Sequence, residues 1–300
     1  MKKRMVIAAL MLMVAVVFAA CKKDPNNGGG AVTVPTGGID GLFTVNLDGD
    51  KVFFSQGNLQ YTKSTGKWSF MEHQYDLVET LGQEVGEDYA NQDVVSLFCW
   101  ATSGYDHGAV YYQPWSTTMS SNYYYAYGNS SYTLYDQTGK ADWGYNAISN
   151  GGNTINTWRT LTMEEWECIL FNRSTSSQMR FAKACVNDVN GLILLPDNWS
   201  SSYFALNSPD SEEANFSSNT ITDSQWLSLE QHGAVFLPAA GYRNLIMACG
   251  VGGSGNYWSA SCGDYGLKYG LHFCDQESDV ALNDYYSCYG FSVRLVCPAQ

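Results

Sequence analysis

Positive charge is scarce in this chain: 16 Lys and Arg stand against 29 Asp and Glu over 300 residues, a net charge of −13. Five of the basic residues, Lys2, Lys3, Arg4, Lys22 and Lys23, come before the first strand-like sequence, so the remainder is more acidic still. That balance argues against nucleic acid as a partner and against lying flat on anionic lipid. Histidine is scarcer. His73, His107, His232 and His272 never fall at zinc-ligand spacing, and Asp48 and Asp50 lack the Asp-x-Asp-x-Asp-Gly…Glu run of a calcium loop. No Ser, His, Asp order for nucleophilic catalysis appears. "GVGGSG" (250–255) runs into strand residues and not into a helix, which makes it a turn and not a dinucleotide fingerprint. No metal and no cofactor is expected, and after residue 20 no apolar run reaches membrane length.

The first twenty residues carry a targeting signal. Lys2, Lys3 and Arg4 precede an apolar run, Met5 to Ala20, of signal-peptide length and short for a spanning helix. It ends in "FAAC", which resembles the lipobox of bacterial lipoproteins, with Phe18 where that motif usually carries Leu. The resemblance implies cleavage before Cys21 and acylation of its thiol; the plainer alternative is a secretory signal with an incidental cysteine. "KKDPNNGGGAVTVPTGGID" (22–40) has almost nothing to bury and reads as a flexible tether. The expected organisation is signal 1–20, lipidated Cys21 and tether 21–40, and one domain 41–300. Its membrane contact would be the lipid anchor alone, at the outer membrane on the cell-surface or periplasmic side.

"LFTVNLDGDKVFFSQ" alternates Phe43, Val45, Leu47 and Val52, Phe54 around Asp48-Gly49, a strong hairpin signal. "STGKWSFM" repeats the turn-and-strand pattern and sets Trp68 and Phe70 on one face. Two helices are marked by capping boxes: Thr162 with Glu165 ahead of Trp166, Ile169 and Leu170, and Thr222 with Gln225 ahead of Trp226 and Leu229, stopped by Gly233. Short strands such as "GLILLP", "GAVFLPA" and "YGFSVRLV" surround them without βαβ alternation, so the fold class is α+β. Between His107 and Tyr145 eleven Tyr and Trp residues stand among Ser, Asn and Gly with no period, which predicts long ordered loops packed by their own aromatics.

In this order, "WRTLTMEEWE", "YWSAS" and "YGFSVRLV" resemble proteins related to the formylglycine-generating enzyme, a branch of the C-type lectin-like fold. With "FSQGNLQY", "SGYDHGAVYYQPWS", "YDQTGKADWGYN", "LPDNW" and "FLPAAGYR" the chain is similar to a paralogous set of Bacteroidetes lipoproteins over roughly residues 41–297. The resemblance implies a single C-type lectin-like domain, closed by pairing of "YWSAS" with "YGFSVRLV". It implies a scaffold and no particular chemistry. An enzyme of the formylglycine-generating type would need a catalytic cysteine pair, and "SCYGFSVRLVC" lacks the arginine-rich setting those enzymes carry, so no enzymatic activity is expected.

Apart from Cys21 there are eight cysteines. They permit a disulfide framework in an oxidising compartment, or small buried hydrophobes, the preferred reading for Cys99, Cys168 and Cys185. The lectin resemblance implies a Cys168–Cys297 bridge. "DQESDVALND", Asp275 to Asp284, reads as a solvated acidic loop, with calcium as the alternative.

Tyr stands with Ser, Gly and Asn through the last fifty residues, the composition of antibody paratopes, with Asp and Cys interleaved. The ligand-binding candidates are Tyr257, Cys262, Asp264, Tyr265, Tyr269, Asp284, Tyr285, Tyr286, Ser287 and Tyr289, on a frame of Trp258, Leu271, Phe273, Phe291, Val293 and Leu295. The family resembled includes proteins whose C-terminal segment is rewritten by diversity-generating retroelements; Lys268, Gln276 and Glu277 would then be template residues. The expected function is a lipid-anchored binding module that contacts a glycan or protein through the C-terminal loops and the Tyr-rich loop from Tyr111 to Tyr127, with a structural or adhesive surface component and the enzyme as alternatives.

Overall fold

The computed structural model describes residues 32–79, 92–106, 109–275 and 280–300. The expected signal segment, Cys21, most of the expected tether, His107 and the acidic stretch 276–279 lie outside them. Strand β1 (Phe43–Thr44) pairs antiparallel with β2 (Lys51–Phe54), Phe43 opposite Val52. Gly49 takes φ +84° in the turn, and Asn46 Oδ1 closes it by accepting from Asp50 N at 3.0 Å. Alternation stops earlier than expected: Phe43 and Val45 are buried, but Leu47 belongs to the turn and is 97 % exposed. β3 (Leu59–Thr62) and β4 (Lys67–Phe70) form a second hairpin with Trp68 and Phe70 inward, and β5 (Val94–Val95) pairs on the other edge of β3.

β6 (Arg159–Thr160) leads into helix α1 (Met163–Glu167). Both halves of the expected capping box form, Thr162 Oγ1 accepting from Glu165 N at 3.2 Å and Glu165 Oε2 from Thr162 N at 2.9 Å. The α-helical part is one turn and a half. A π turn, Cys168–Asn172, continues it and turns Ile169 and Leu170 to the same buried side as Trp166. β7 (Phe181–Val186), β8 (Val189–Leu194), β9 (Thr220–Ile221) and β10 (Val235–Pro238) make a sheet in the order β10-β8-β7-β9, with β9 parallel to β7. Helix α2 (Asp223–Gln231) repeats the capping box with Thr222 and Gln225, and buries Trp226 and Leu229. Gly233 ends it at φ +84°, where a Cβ would meet Asp40 O at 2.6 Å.

β11 (Tyr242–Asn244) and β12 (Met247–Cys249) form a small hairpin; β13 (Ser254–Cys262), β14 (Lys268–Cys274) and β15 (Val280–Tyr285) form an antiparallel sheet. β16 (Leu295–Pro298) inserts between β2 and β6, so the last strand completes the first sheet. "YWSAS" and the terminal segment do lie together: Trp258 N donates to Ser292 O at 3.1 Å and Ser292 N to Asn256 O at 3.0 Å. With many short strands and two short helices among the described residues, the fold is α+β.

Thr33–Gln300 form one compact unit. The compact unit therefore begins sooner than the composition of residues 22–40 suggested. Ile39 N donates to Phe54 O at 2.9 Å and Gln56 N to Gly37 O at 2.8 Å, continuing the pairing of β2 and the residues after it past the end of β1, and Ile39 is buried. The Tyr-rich loops are ordered as expected, through single 3-10 turns at Val110–Tyr112, Ser121–Tyr123 and Ala126–Gly128. Their rings form a run, Tyr111–Tyr112–Tyr105–Tyr127, at centroid spacings of 4.7, 4.5 and 5.0 Å. Such contacts add about 0.5–1.5 kcal/mol each beyond burial.

The eight described cysteines are free thiols. Cys99 and Cys168 are buried as expected, while Cys185 is partly exposed. Cys168 and Cys297 do not form the bridge that the lectin resemblance implied: Cys168 Sγ turns to Thr44 O at 3.8 Å, and Cys297 Sγ to Pro298 O at 3.7 Å.

Candidate functional site

The sheet of β13, β14 and β15 has two chemically different faces, because side chains alternate across a pleated strand. Tyr257, Leu271 and Leu282 lie side by side in register, as do Gly255, Phe273 and Val280, and this face joins the core around Phe43, Phe54 and Trp166. The other face carries Asn256 opposite His272, then Trp258, Gly270 and Asn283. Phe291 lies flat against Trp258 at 4.2 Å. Gly270 permits this approach, since a Cβ there would come within 3.3 Å of the Phe291 ring and 3.0 Å of Tyr257 O.

A cleft of about 390 Å³ opens over Phe291. Tyr285 stands edge-on to that ring at 4.8 Å and 82°, Tyr289 lies nearly parallel to it at 6.2 Å and 7°, and Tyr242 meets Tyr289 at 6.0 Å and 80°. Asn256, His272 and Asn283 supply its polar groups. Asn256 Nδ2 donates to Gly241 O at 3.1 Å, which leaves Oδ1 facing His272 Nδ1 at 2.9 Å and so places the proton of that contact on the imidazole. Burial pushes the Tyr242 phenol up from its ordinary value, so it stays protonated as a donor at physiological pH.

No family model, curated protein or solved structure matches the chain. Of the ten sequence candidates, Tyr285 and Tyr289 line the cleft, and Tyr286, 57 % exposed, sits edge-on to Tyr289 at its rim, 6.3 Å away. Two candidates are corrected. Tyr257 is fully buried, its hydroxyl donating to Pro238 O at 2.8 Å and accepting from Asn58 Nδ2 at 3.1 Å. Ser287 is fully buried too, donating to Ser121 O at 2.9 Å and so tying the C-terminal segment to the Tyr-rich loop. Neither side chain is open to a ligand.

The rest lie apart from the cleft. Asp264 and Tyr265 form the exposed β13–β14 turn, with Tyr265 wholly exposed at φ +55°. Tyr269 and Asp284 face each other across β14 and β15, on the side of the sheet opposite Tyr285. Cys262, partly exposed, directs its thiol to Ser131 O at 3.0 Å. Asp275 accepts from Phe216 N at 2.7 Å, so this end of the expected acidic loop is bound to the fold. Among the described residues no three of His, Cys, Asp and Glu gather as a metal site would require.

Sequence reasoning missed Tyr242, Asn256, His272 and Asn283, and took Phe291 as frame alone. The available signal was period two: Asn256, His272 and Asn283 each follow an inward-facing residue, Gly255, Leu271 and Leu282. Tyr242 gave none. A larger hollow of about 670 Å³ lies beside α1, but its Glu165 is engaged by the capping box and by Arg159 at 2.6 Å, which makes it part of the helix entry.

Behind the turn, Lys268 is fully buried, its Nζ donating to Ser130 O at 2.8 Å and lying 4.4 Å from the Trp100 ring and 5.4 Å from Tyr125. Like Ser287, it pins the C-terminal sheet to the Tyr-rich loop. Burial pushes its ammonium down to about 8, against an opposing pull from Cys262. The unfolded chain keeps the ordinary, higher value, so between those values the unfolded state binds more protons and stability rises with pH. Urea melts from pH 7.5 to 9.5 are expected to show wild type gaining stability relative to Lys268→Met, with the gain beginning near pH 8. Parallel curves would mean that the lysine is solvated.

Proposed function

We propose that this is a lipid-anchored, extracytoplasmic ligand-binding module of C-type lectin-like fold, and that the cleft between Tyr242, Tyr285 and Tyr289 receives a glycan or protein ligand. The observation that carries this reading is the cleft: an open concavity with aromatic walls and a few convergent polar groups is the usual form of a small-ligand site. Its rigid frame, Trp258 under Phe291 with Gly270 beneath, holds the tyrosines in place before any ligand arrives. Support for the fold comes from the terminal strand lying within the first sheet and the contact of "YWSAS" with the segment before it. Support for the anchor is the "FAAC" sequence ahead of a Gly- and Asn-rich tether.

Two measurements test it. Glycan and protein arrays probed with the chain from Lys22 onward are expected to give saturable binding that Tyr285→Ala with Tyr289→Ala removes. Binding to neither class would make the protein a structural or adhesive surface component. In cells, Cys21→Ser is expected to abolish incorporation of labelled fatty acid; unchanged labelling would remove the anchor assignment.

A further inference from the structure

Resting on the cleft as the ligand site, we infer that its ligand is an uncharged, hydroxyl-rich glycan, seated with one saccharide ring against the tyrosines. The first ground is the absence of charge. Among the described residues, those lining the cleft are aromatic rings, two amides and one imidazole, with no Asp, Glu, Lys or Arg. A carboxylate, phosphate or ammonium entering there would shed water without gaining a counter-ion, a cost that unpaired burial makes large. The net charge of −13 further opposes an anion.

The second ground is the corner made by the rings. Phe291 and Tyr289 are nearly parallel, at 7°, whereas Tyr285 and Tyr242 stand close to perpendicular to them, at 82° and 80°. A flat body with one apolar face and a polar circumference fits such a corner, its C–H face on a ring and its edge toward the polar groups. A pyranose has that shape. The volume of about 390 Å³ falls at the lower end of the range for small-molecule pockets, room for a terminal sugar and part of the next.

The third ground is the rim. Asn256 is held between Gly241 O and His272 and serves to orient the imidazole, while Asn283 is exposed on β15 with its Nδ2 3.5 Å from the Tyr285 hydroxyl. An amide beside a phenol offers donors and acceptors together, and a sugar hydroxyl both gives and accepts. An apolar side chain from a protein would fill the corner but leave that rim unanswered. Beyond the cleft, Tyr286 continues the aromatic surface 6.3 Å from Tyr289, on the path a longer glycan would follow.

The test uses sugars matched in shape and differing in charge. N-acetylglucosamine, methyl β-galactoside, glucosamine and glucuronic acid are titrated at pH 6.5, where glucosamine is cationic and glucuronic acid anionic, against the chain from Lys22 onward, which retains the whole compact unit, with saturation-transfer NMR as readout. At least one neutral sugar is expected to bind below about 20 mM, with glucosamine and glucuronic acid at least about tenfold weaker. Asn283→Ala should weaken the neutral sugar about tenfold and Tyr285→Ala should abolish its signal, while Tyr265→Ala, on the far turn, leaves it unchanged; thermal melts confirm that each variant is folded. A charged sugar bound as well or better, a protein captured on an array and lost in Tyr285→Ala, or no neutral sugar bound at all would each overturn the neutral-glycan inference while leaving the cleft as the site. Neutral-sugar binding that survives Tyr285→Ala with Tyr289→Ala would overturn the cleft itself.

Discussion

Trp166→Ala is expected to lower the free energy of unfolding by about 3–5 kcal/mol, the range for emptying a large aromatic site in a core. Trp166 is 1 % exposed and lies 6.0 Å from the Phe54 ring, in the cluster that also holds Phe43, Tyr257 and Phe273. It joins the first sheet to the C-terminal one. Helix α1 is far too short to persist by itself, since isolated helices below about 12–15 residues are marginal in water, so its formation depends on this contact. Among the described residues Trp166 Nε1 has no hydrogen-bond partner. Trp166→Phe, which removes that unpaired group and keeps a ring, should therefore cost far less than the alanine change. Urea melts decide it, and a loss below about 1 kcal/mol for Trp166→Ala would place the helix on the surface.

The second large effect concerns binding and separates site from frame. Tyr285→Ala and Tyr289→Ala should each weaken ligand binding by about 2 kcal/mol, the scale of an aromatic anchor, with small effects on stability because both side chains are partly exposed. Phe291 is 1 % exposed and stacked on Trp258, so Phe291→Ala should lose about 3–5 kcal/mol of stability and the cleft floor together. Changing Cys262, Asp264 and Tyr265 together should leave binding intact and, as exposed positions do, move stability by about ±0.5 kcal/mol each. Calorimetry of binding and thermal melts on the same variants give the two readouts. A Tyr265-dependent ligand would move the site to the turn.

Local features were legible because their causes are local. Asp48-Gly49 makes its turn and both capping boxes close, since each needs only residues within four positions. The inward set Leu271, Phe273 and Val293 was readable from alternation. Alternation fails in β13, where a bulge between Trp258 and Cys262 breaks the period and Ser259 and Ala260 are buried together. Tyr257 and Ser287 were misread for another reason. Composition marks them as contact residues, whereas partners distant in sequence, Pro238 with Asn58 and Ser121, satisfy their hydroxyls indoors. The cleft was invisible as a unit because Tyr242, Asn256, His272 and Asn283 come from four strands that only the folded chain brings together.

The position of β16 between β2 and β6 bears on how the protein comes to exist at all. Synthesis delivers Phe54 long before Leu295 to Pro298, so β2 waits, unpaired along the edge that β16 will cover, until the residues between them have emerged. Closure across so long a separation is slow, and exposed edges invite aggregation meanwhile. Completion of the first sheet therefore waits on the arrival of β16. A chain stopped just before Leu295 lacks the strand between β2 and β6, and is expected not to complete the first sheet.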